Sequence, residues 1–160
     1  MKRSLIFFPV ILLCLSLQAQ VKRGQQAPEI RLPGLSDSTI TLSSLRGKVV
    51  LVDFWASWCG PCRLNSPNLV KLYARYHDAG LEIFSVSLDK DKAAWRKAIE
   101  HDQLTPWVHV VDQAAWNARS TIDYGVDAIP ATFLVDRNGV VKAVNVEGRE
   151  LDHEIGRALK

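Results

Sequence analysis

Cysteine and unbalanced charge are both scarce in this chain. Three of its 160 residues are cysteine, at positions 14, 59 and 62. Small exported proteins held together by disulfides carry several pairs, so a disulfide scaffold is excluded. The 20 Lys and Arg residues nearly balance the 17 Asp and Glu residues, for a net charge of +3. That balance argues against nucleic acid or an anionic membrane as a partner.

The first residues also lack the length of a membrane span. Lys2 and Arg3 precede an apolar run of 13 residues, 5–17, and the small residue Ala19 follows. This layout is typical of a secretory signal peptide, whereas a membrane span needs about 20 apolar residues. We therefore predict a signal peptide over residues 1–19 and one domain over residues 20–160, in a protein exported to the periplasm, with an uncleaved membrane anchor as the alternative.

Removal of residues 1–19 would change two of these counts. It takes away two basic residues and no acidic ones, which leaves 18 minus 17, or a net charge of +1. It also removes Cys14, which follows Leu13 rather than the small residue of a lipoprotein signal and is interpreted as part of the apolar run. Cys59 and Cys62 then remain as the one cysteine pair.

Alternating strand and helix patterns fill the middle of the domain. Residues 30–42 read as a hairpin that caps one edge of a sheet, and "VVLVDFW" (49–55) is apolar on both alternation faces, which is typical of a central strand. Helical and extended patterns then alternate from the cysteines to residue 125. This order predicts an α/β domain with a parallel sheet between helices.

The C-terminal part changes character. Two β-rich runs in residues 131–146 are joined at Asn138-Gly139, a dipeptide that favours hairpin turns. The last residues, 149–160, have apolar side chains at helical spacing. The sheet is therefore predicted to be mixed, with a final amphipathic helix.

The sequence Cys59-Gly60-Pro61-Cys62 lies where the central strand gives way to a helix. A cysteine at a helix N-terminus has its thiolate favoured by free peptide N–H groups and by the helix dipole. Cys59 is thus predicted to attack disulfides, and Cys62, one turn later and more buried, to resolve the mixed disulfide.

Two other uses of the cysteine pair are a structural disulfide and a zinc site. A structural disulfide would close a loop of two residues and stabilise little, because the entropic effect grows with loop length. Zinc needs about four ligands, and the histidines stand singly at positions 77, 101, 109 and 153. A redox pair without metal or other cofactor remains the preferred interpretation.

Two further residues are unusual in their positions. Asp53 is an acid within the most apolar strand, where burial would raise its pKa and let it exchange protons. A structural acid paired with Lys48 or Arg63 is the alternative for Asp53. Ile129-Pro130 directly precedes the strand "ATFLV"; a cis bond there would turn the backbone of residue 129 outward, toward an extended substrate peptide.

Together these motifs resemble the thioredoxin superfamily, and more closely its exported TlpA/ResA-type thiol:disulfide interchange proteins, from about residue 25 to the C-terminus. The resemblance rests on "LSSLRGKVVLVDFWASWCGPCR", on Pro67 and on "GVDAIPATFLVDRNGVV". It implies a thioredoxin-like three-layer sandwich, with an N-terminal β-hairpin and a helix-strand insert at residues 91–112.

The resemblance also implies roles for single residues. Cys59 and Cys62 form the redox-active disulfide, as attacking and resolving thiol, and Asp53 is the buried acid that serves Cys62. Pro130 is the cis-proline. The substrate-binding surface is expected from the residues around them: Trp58, Gly60, Pro61, Ile129 and Pro130.

Two positions depart from the family pattern. Asn65 stands where many relatives have a glutamate, and Ser85 stands roughly where thioredoxins have a lysine. Asp53 is left as the main proton carrier.

The resemblance indicates a thiol-disulfide oxidoreductase that exchanges disulfides with exported proteins. The Gly-Pro dipeptide favours a monomeric reductant supplied with electrons by a membrane donor, with cytochrome c maturation as one setting. A thiol peroxidase is one alternative, although Ala56 stands where such sites have Thr or Ser. A redox chaperone for copper or apocytochrome is the other, although no His or Met ligand lies near the pair.

Overall fold

The computed structural model describes residues 20–160. The predicted signal peptide therefore lies outside the described residues. Strands β1 and β2 form a small antiparallel sheet of their own, and five strands form the main sheet. The strands are β1 (Arg31–Pro33), β2 (Thr39–Thr41), β3 (Val49–Trp55), β4 (Leu81–Ser87), β5 (Val108–Val111), β6 (Ala131–Val135) and β7 (Val141–Val144). The α-helices are α1 (Gly60–Tyr76), α2 (Lys92–His101), α3 (Arg119–Tyr124) and α4 (Gly148–Ala158), with 3₁₀ turns at Leu42–Leu45 and Ala115–Asn117.

The main sheet has the strand order β5-β4-β3-β6-β7. Strands β3, β4 and β5 are parallel, and β6 and β7 run antiparallel to their neighbours. Every residue of β3 is buried, as the predicted central strand requires. The mixed sheet is thus confirmed.

Two apolar clusters sandwich this sheet. One lies on the face covered by α1, α2 and α4, and the other on the face covered by α3 and the N-terminal segment. Alternate residues of β3 divide between them: Val49, Leu51 and Trp55 belong to the first cluster, and Val50, Val52 and Phe54 to the second. The predicted three-layer sandwich is confirmed.

The predicted insert and hairpin are both present. Residues 91–112 contain α2 and the edge strand β5. The β1–β2 hairpin reaches β5 through a bridge between Gly34 and Val110, so it caps this edge of the sheet as predicted. None of the helices within residues 20–160 is long and apolar enough to cross a membrane.

Candidate active site

The site begins at the carboxyl end of β3, where the chain turns into α1. Cys59 is the N-cap of α1, and its Sγ accepts a hydrogen bond from the peptide N–H of Cys62 at 3.2 Å. Pro61 lies in the first turn, where a missing N–H leaves no helical hydrogen bond unmade. Sulfur at this position is closest to the positive end of the helix dipole, which favours a thiolate when the pair is reduced.

Cys59 and Cys62 are joined by a disulfide with an S–S distance of 2.01 Å. The two residues are equally buried, each 5% exposed, so the expectation that Cys62 is the more buried residue is wrong for the oxidised form. The reason is that the loop before β6 covers Cys59: the carbonyl oxygen of Ile129 lies 3.9 Å from its Sγ. A disulfide sulfur carries no proton, so this approach is a contact rather than a hydrogen bond.

Ile129 and Pro130 are joined by a cis peptide bond directly before β6, as expected. The peptide N–H of Ile129 makes no backbone hydrogen bond to another described residue. A backbone donor thus lies beside the disulfide without a partner in this part of the chain. Trp58, Gly60 and Pro61 are exposed around the same disulfide.

Asp53 lies two residues before the end of β3 and is 5% exposed. By alternation it faces the same side of the sheet as Leu51 and Trp55, where the cluster also contains Cys62. Burial raises the pKa of Asp53 to about 7, although a hydrogen bond from the Ser85 hydroxyl at 3.2 Å opposes the shift. The carboxyl group can therefore change its protonation state near neutral pH.

The alternative of a paired structural acid fails on the positions of the two cations. The Lys48 ammonium lies 2.9 Å from Glu82, and the Arg63 guanidinium lies 2.7 Å from Asp102. Neither contributes to the pKa shift of Asp53. Ser85 lies opposite Asp53 on β4. It is the residue that the sequence analysis noted in place of a lysine, and it is next to the acid.

Asp89 is a second buried acid near the site, and the sequence analysis missed it. Its carboxylate, 1% exposed, accepts hydrogen bonds from the peptide N–H of Ser57 at 2.8 Å, from the Ser57 hydroxyl and from the Ser87 hydroxyl at 2.7 Å. Ser57 lies two residues before Cys59, so these bonds hold the loop that leads into α1. The sequence did contain a signal for this contact: β3 and β4 are parallel, so the residues that follow their carboxyl ends meet at one edge of the sheet.

We expect Asp89→Ala to destabilise the protein by about 3 kcal/mol, because it leaves the buried hydroxyl of Ser87 and the half-buried donors of Ser57 without an acceptor. The measurement is urea unfolding at pH 7. Asp91→Ala is the matched control: Asp91 caps α2 at the exposed surface, and loss of such a cap costs about 1 kcal/mol. Equal losses in the two variants would contradict the role of Asp89 in holding the loop.

Trp116 is a second residue that the sequence analysis missed. Its ring centroid lies 6.5 Å from that of Trp58, and the two indoles are 43% and 57% exposed. An exposed aromatic pair thus flanks the residue before Cys59. Sequence offered no signal for it, because a tryptophan in a helical pattern is more often buried.

A metal site is not formed by the described residues. Within residues 20–160 there is no group of three or more His, Cys, Asp or Glu side chains that could hold a metal ion.

Comparisons with known proteins agree with this site. The redoxin family model matches residues 22–159. The thiol-disulfide oxidoreductase ResA of Geobacillus kaustophilus is 36% identical over 86% of this chain and 76% of its own length. The thioredoxin-like protein YneN of Bacillus subtilis is 34% identical over 79% of this chain and 72% of its own length.

Solved structures show the same fold. The thioredoxin domain of a thiol-disulfide oxidoreductase from Bacteroides vulgatus superposes with a TM-score of 0.82 at 32% identity, covering 88% of this chain and all of that one. A putative thiol:disulfide interchange protein DsbE from Chlorobium tepidum gives 0.80 at 32% identity, with coverage of 88% and 100%. The chain, with its Cys59–Cys62 disulfide at the start of α1, therefore belongs to the redoxin family and is a thioredoxin-like thiol-disulfide oxidoreductase.

Proposed function

We propose that this protein reduces disulfides in exported proteins, with Cys59 as the attacking thiol and Cys62 as the resolving thiol. The observation that carries the proposal is the inequality of the two positions. Cys59 caps α1 and receives the Cys62 N–H, whereas Cys62 lies one turn into the helix, on the face of the sheet that carries Asp53.

The reaction proceeds in two exchanges. The Cys59 thiolate attacks one sulfur of the substrate disulfide, forms a mixed disulfide and releases the other substrate sulfur as a thiolate. Asp53 then takes the proton of Cys62, and the new thiolate attacks the Sγ of Cys59. The second substrate sulfur leaves and is protonated. The substrate disulfide gains two electrons, and the dithiol of the enzyme loses two.

Regeneration needs a donor of two electrons. We propose a membrane dithiol protein for this step, because the predicted signal peptide places the domain outside the cytoplasm, away from the cytoplasmic thiol pool. The protein acts as a periplasmic monomer without a cofactor. Apocytochrome c during cytochrome c maturation is the substrate class that the family resemblance suggests.

Substrate is bound around the disulfide by main chain and by aromatic side chains. The N–H of Ile129, which has no hydrogen-bond partner within residues 20–160, pairs with an extended peptide, and Trp58, Gly60, Pro61 and Pro130 line the approach. Trp116 widens this surface, because its exposed ring lies against Trp58.

The proposed function is tested by the reduction of insulin with dithiothreitol as the electron source. The wild-type protein should accelerate precipitation of the insulin B chain. With Cys59→Ser, the rate of precipitation should not exceed the rate with dithiothreitol alone. An active Cys59→Ser variant, or an inactive wild type, would contradict the proposal. Consumption of hydrogen peroxide far faster than by free thiols would instead favour a peroxidase.

Trp116→Ala is expected to lower kcat/KM for a protein disulfide by about tenfold, since tryptophan is enriched among the interface residues whose truncation costs more than about 1 kcal/mol. The rate with a small aromatic disulfide should stay within about twofold of wild type, because such a substrate reaches Cys59 without the wider surface. Leu35→Ala is the control, because Leu35 is also an exposed apolar residue, in the β1–β2 turn. Equal effects on both substrates would show that Trp116 acts on the fold rather than on binding.

A further inference from the structure

A row of buried polar residues crosses the sheet at the level of Asp53. The strand register places Thr132, Asp53, Ser85 and His109 side by side on β6, β3, β4 and β5. All four are buried. Trp107, just before β5, joins this row through its indole nitrogen, which lies 3.0 Å from the hydroxyl oxygen of Ser85.

The hydrogen bond between Trp107 and Ser85 has a fixed direction. An indole N–H can only donate, so Ser85 must accept from Trp107. A hydroxyl that accepts a hydrogen bond is polarised into a stronger donor, so this contact favours donation of the Ser85 proton to Asp53, whose Oδ2 lies 3.2 Å away. The direction therefore runs from Trp107 through Ser85 to the Asp53 carboxylate.

Resting on the proposed function, we propose that Trp107 and Ser85 are positioning residues that hold Asp53 in its carboxylate form, and so set the pH at which Asp53 can accept the proton of Cys62. A hydroxyl that donates to a carboxylate favours the ionised acid. Without the Trp107 N–H, the Ser85 hydroxyl is less polarised and is a weaker donor to the carboxylate. Both residues thereby oppose the effect of burial.

The other titratable and charged groups described around Asp53 do not hold it in its carboxylate form. From α1, Cys59 and Cys62 belong to the apolar cluster on the side of the sheet that Asp53 faces, but they do not titrate while joined in the disulfide. β6 presents Thr132, which does not titrate.

On β5, His109 stands in the same row, and burial lowers its pKa to about 4. Its Nε2 lies 2.7 Å from the Leu104 carbonyl, which can only accept, so Nε2 carries the proton of a neutral ring. The cations Lys48 and Arg63 are paired with Glu82 and Asp102.

The test is a pH titration of the oxidised protein, followed by NMR of ¹³C-labelled Asp carboxyl groups. Asp53→Asn identifies the resonance of Asp53. Ser85→Ala should raise the midpoint by about one pKa unit, a tenfold change in the ionisation constant. Trp107→Phe, which keeps an aromatic ring at the position, should raise it by a smaller amount.

Three controls separate a directed hydrogen-bond chain from a general loosening of the core. Trp95→Phe removes another buried indole N–H, one without a hydrogen-bond partner among the described residues, and should leave the midpoint unchanged. Ser85→Thr keeps the hydroxyl and should stay near wild type. The double variant Ser85→Ala/Trp107→Phe should shift no further than Ser85→Ala, because Trp107 acts through Ser85.

An unchanged midpoint in Trp107→Phe, a matching shift in Trp95→Phe, or a double variant that shows the sum of the single shifts would overturn the proposal. The titration uses no substrate. If the midpoint shifts of Asp53 are observed but the protein does not reduce insulin, the proposed function alone is refuted. If the protein reduces insulin but the midpoint shifts are absent, only the role of Trp107 and Ser85 is refuted.

Discussion

Cys62→Ser is expected to accumulate substrates as mixed disulfides on Cys59. The variant keeps the attacking sulfur at the N-cap of α1, where the peptide N–H of residue 62 still reaches it, but it lacks the sulfur that releases the substrate. Turnover of insulin should be abolished while the first exchange continues. The measurement is non-reducing electrophoresis after acid quenching, in which a covalent adduct appears and dithiothreitol removes it.

Cys59→Ser is the matched control for this experiment. It keeps the sulfur of Cys62, which lies inside the first turn of α1 and is 5% exposed. No adduct should form, because that sulfur lacks the N-cap position. Adducts on Cys62 in this control, with none on Cys59, would reverse the assignment of the two thiols.

Asp53→Asn should slow the second exchange by about a hundredfold at pH 7, the lower end of what a positioned general base contributes. The amide keeps the shape of the side chain but cannot take the proton of Cys62. Attack by Cys59 on the substrate should change little, since its thiolate is favoured by the helix terminus. Rapid acid quenching should show a mixed disulfide that forms at the normal rate and decays slowly. Equal slowing of both steps would argue against a role of Asp53 in resolution.

The same substitution should change the pH dependence of stability. The pKa of Asp53 is about 7 in the folded protein and 3.8 in the reference state, so the folded protein binds more protons between these values. Wild-type stability is then lost as the pH rises from about 4 to about 7. Asn does not ionise, so Asp53→Asn should gain stability relative to wild type over this window, by at most about 4 kcal/mol.

Urea unfolding of the oxidised proteins at pH 4 and pH 8 measures this difference. The pH 4 comparison is the internal control, because Asp53 is then neutral in the folded protein. A stability difference that is the same at both pH values would show that Asp53 is not held with a raised pKa.

The fold was predictable from sequence to the extent that periodicity reports burial. A strand apolar on both faces had to be central, and residues 49–55 form the middle strand of the sheet. The Asn138-Gly139 dipeptide marked a hairpin, and β6 and β7 are its two strands. The strand order was less accessible, because it depends on which distant strands pair, which periodicity does not record.

The site was predictable where residue type and local position determine the chemistry. Cys59 and Asp53 were identified by their place at a strand-to-helix junction and within an apolar strand. The hydrogen bond from Trp107 to Ser85, 22 residues apart, could not be read in the same way. The bonds from Ser57 to Asp89, 32 residues apart, could be anticipated only by combining residue type with the parallel pairing of β3 and β4. They depend on the packing of side chains across neighbouring strands.

The equal burial of the two cysteines has a similar origin. Sequence position alone places Cys62 deeper in the helix than Cys59. The loop that ends at Pro130 then folds over Cys59 from a point 70 residues further along the chain and covers its sulfur.

The central claim is that the protein reduces the disulfides of its substrates. It is tested most directly by the reduction potential of the Cys59–Cys62 couple at pH 7, measured in equilibrium with glutathione. A reductant should have a potential near that of thioredoxin, about −270 mV. A value near about −120 mV, typical of strong oxidants, would contradict the account, because the protein would then donate its disulfide to substrates rather than reduce theirs.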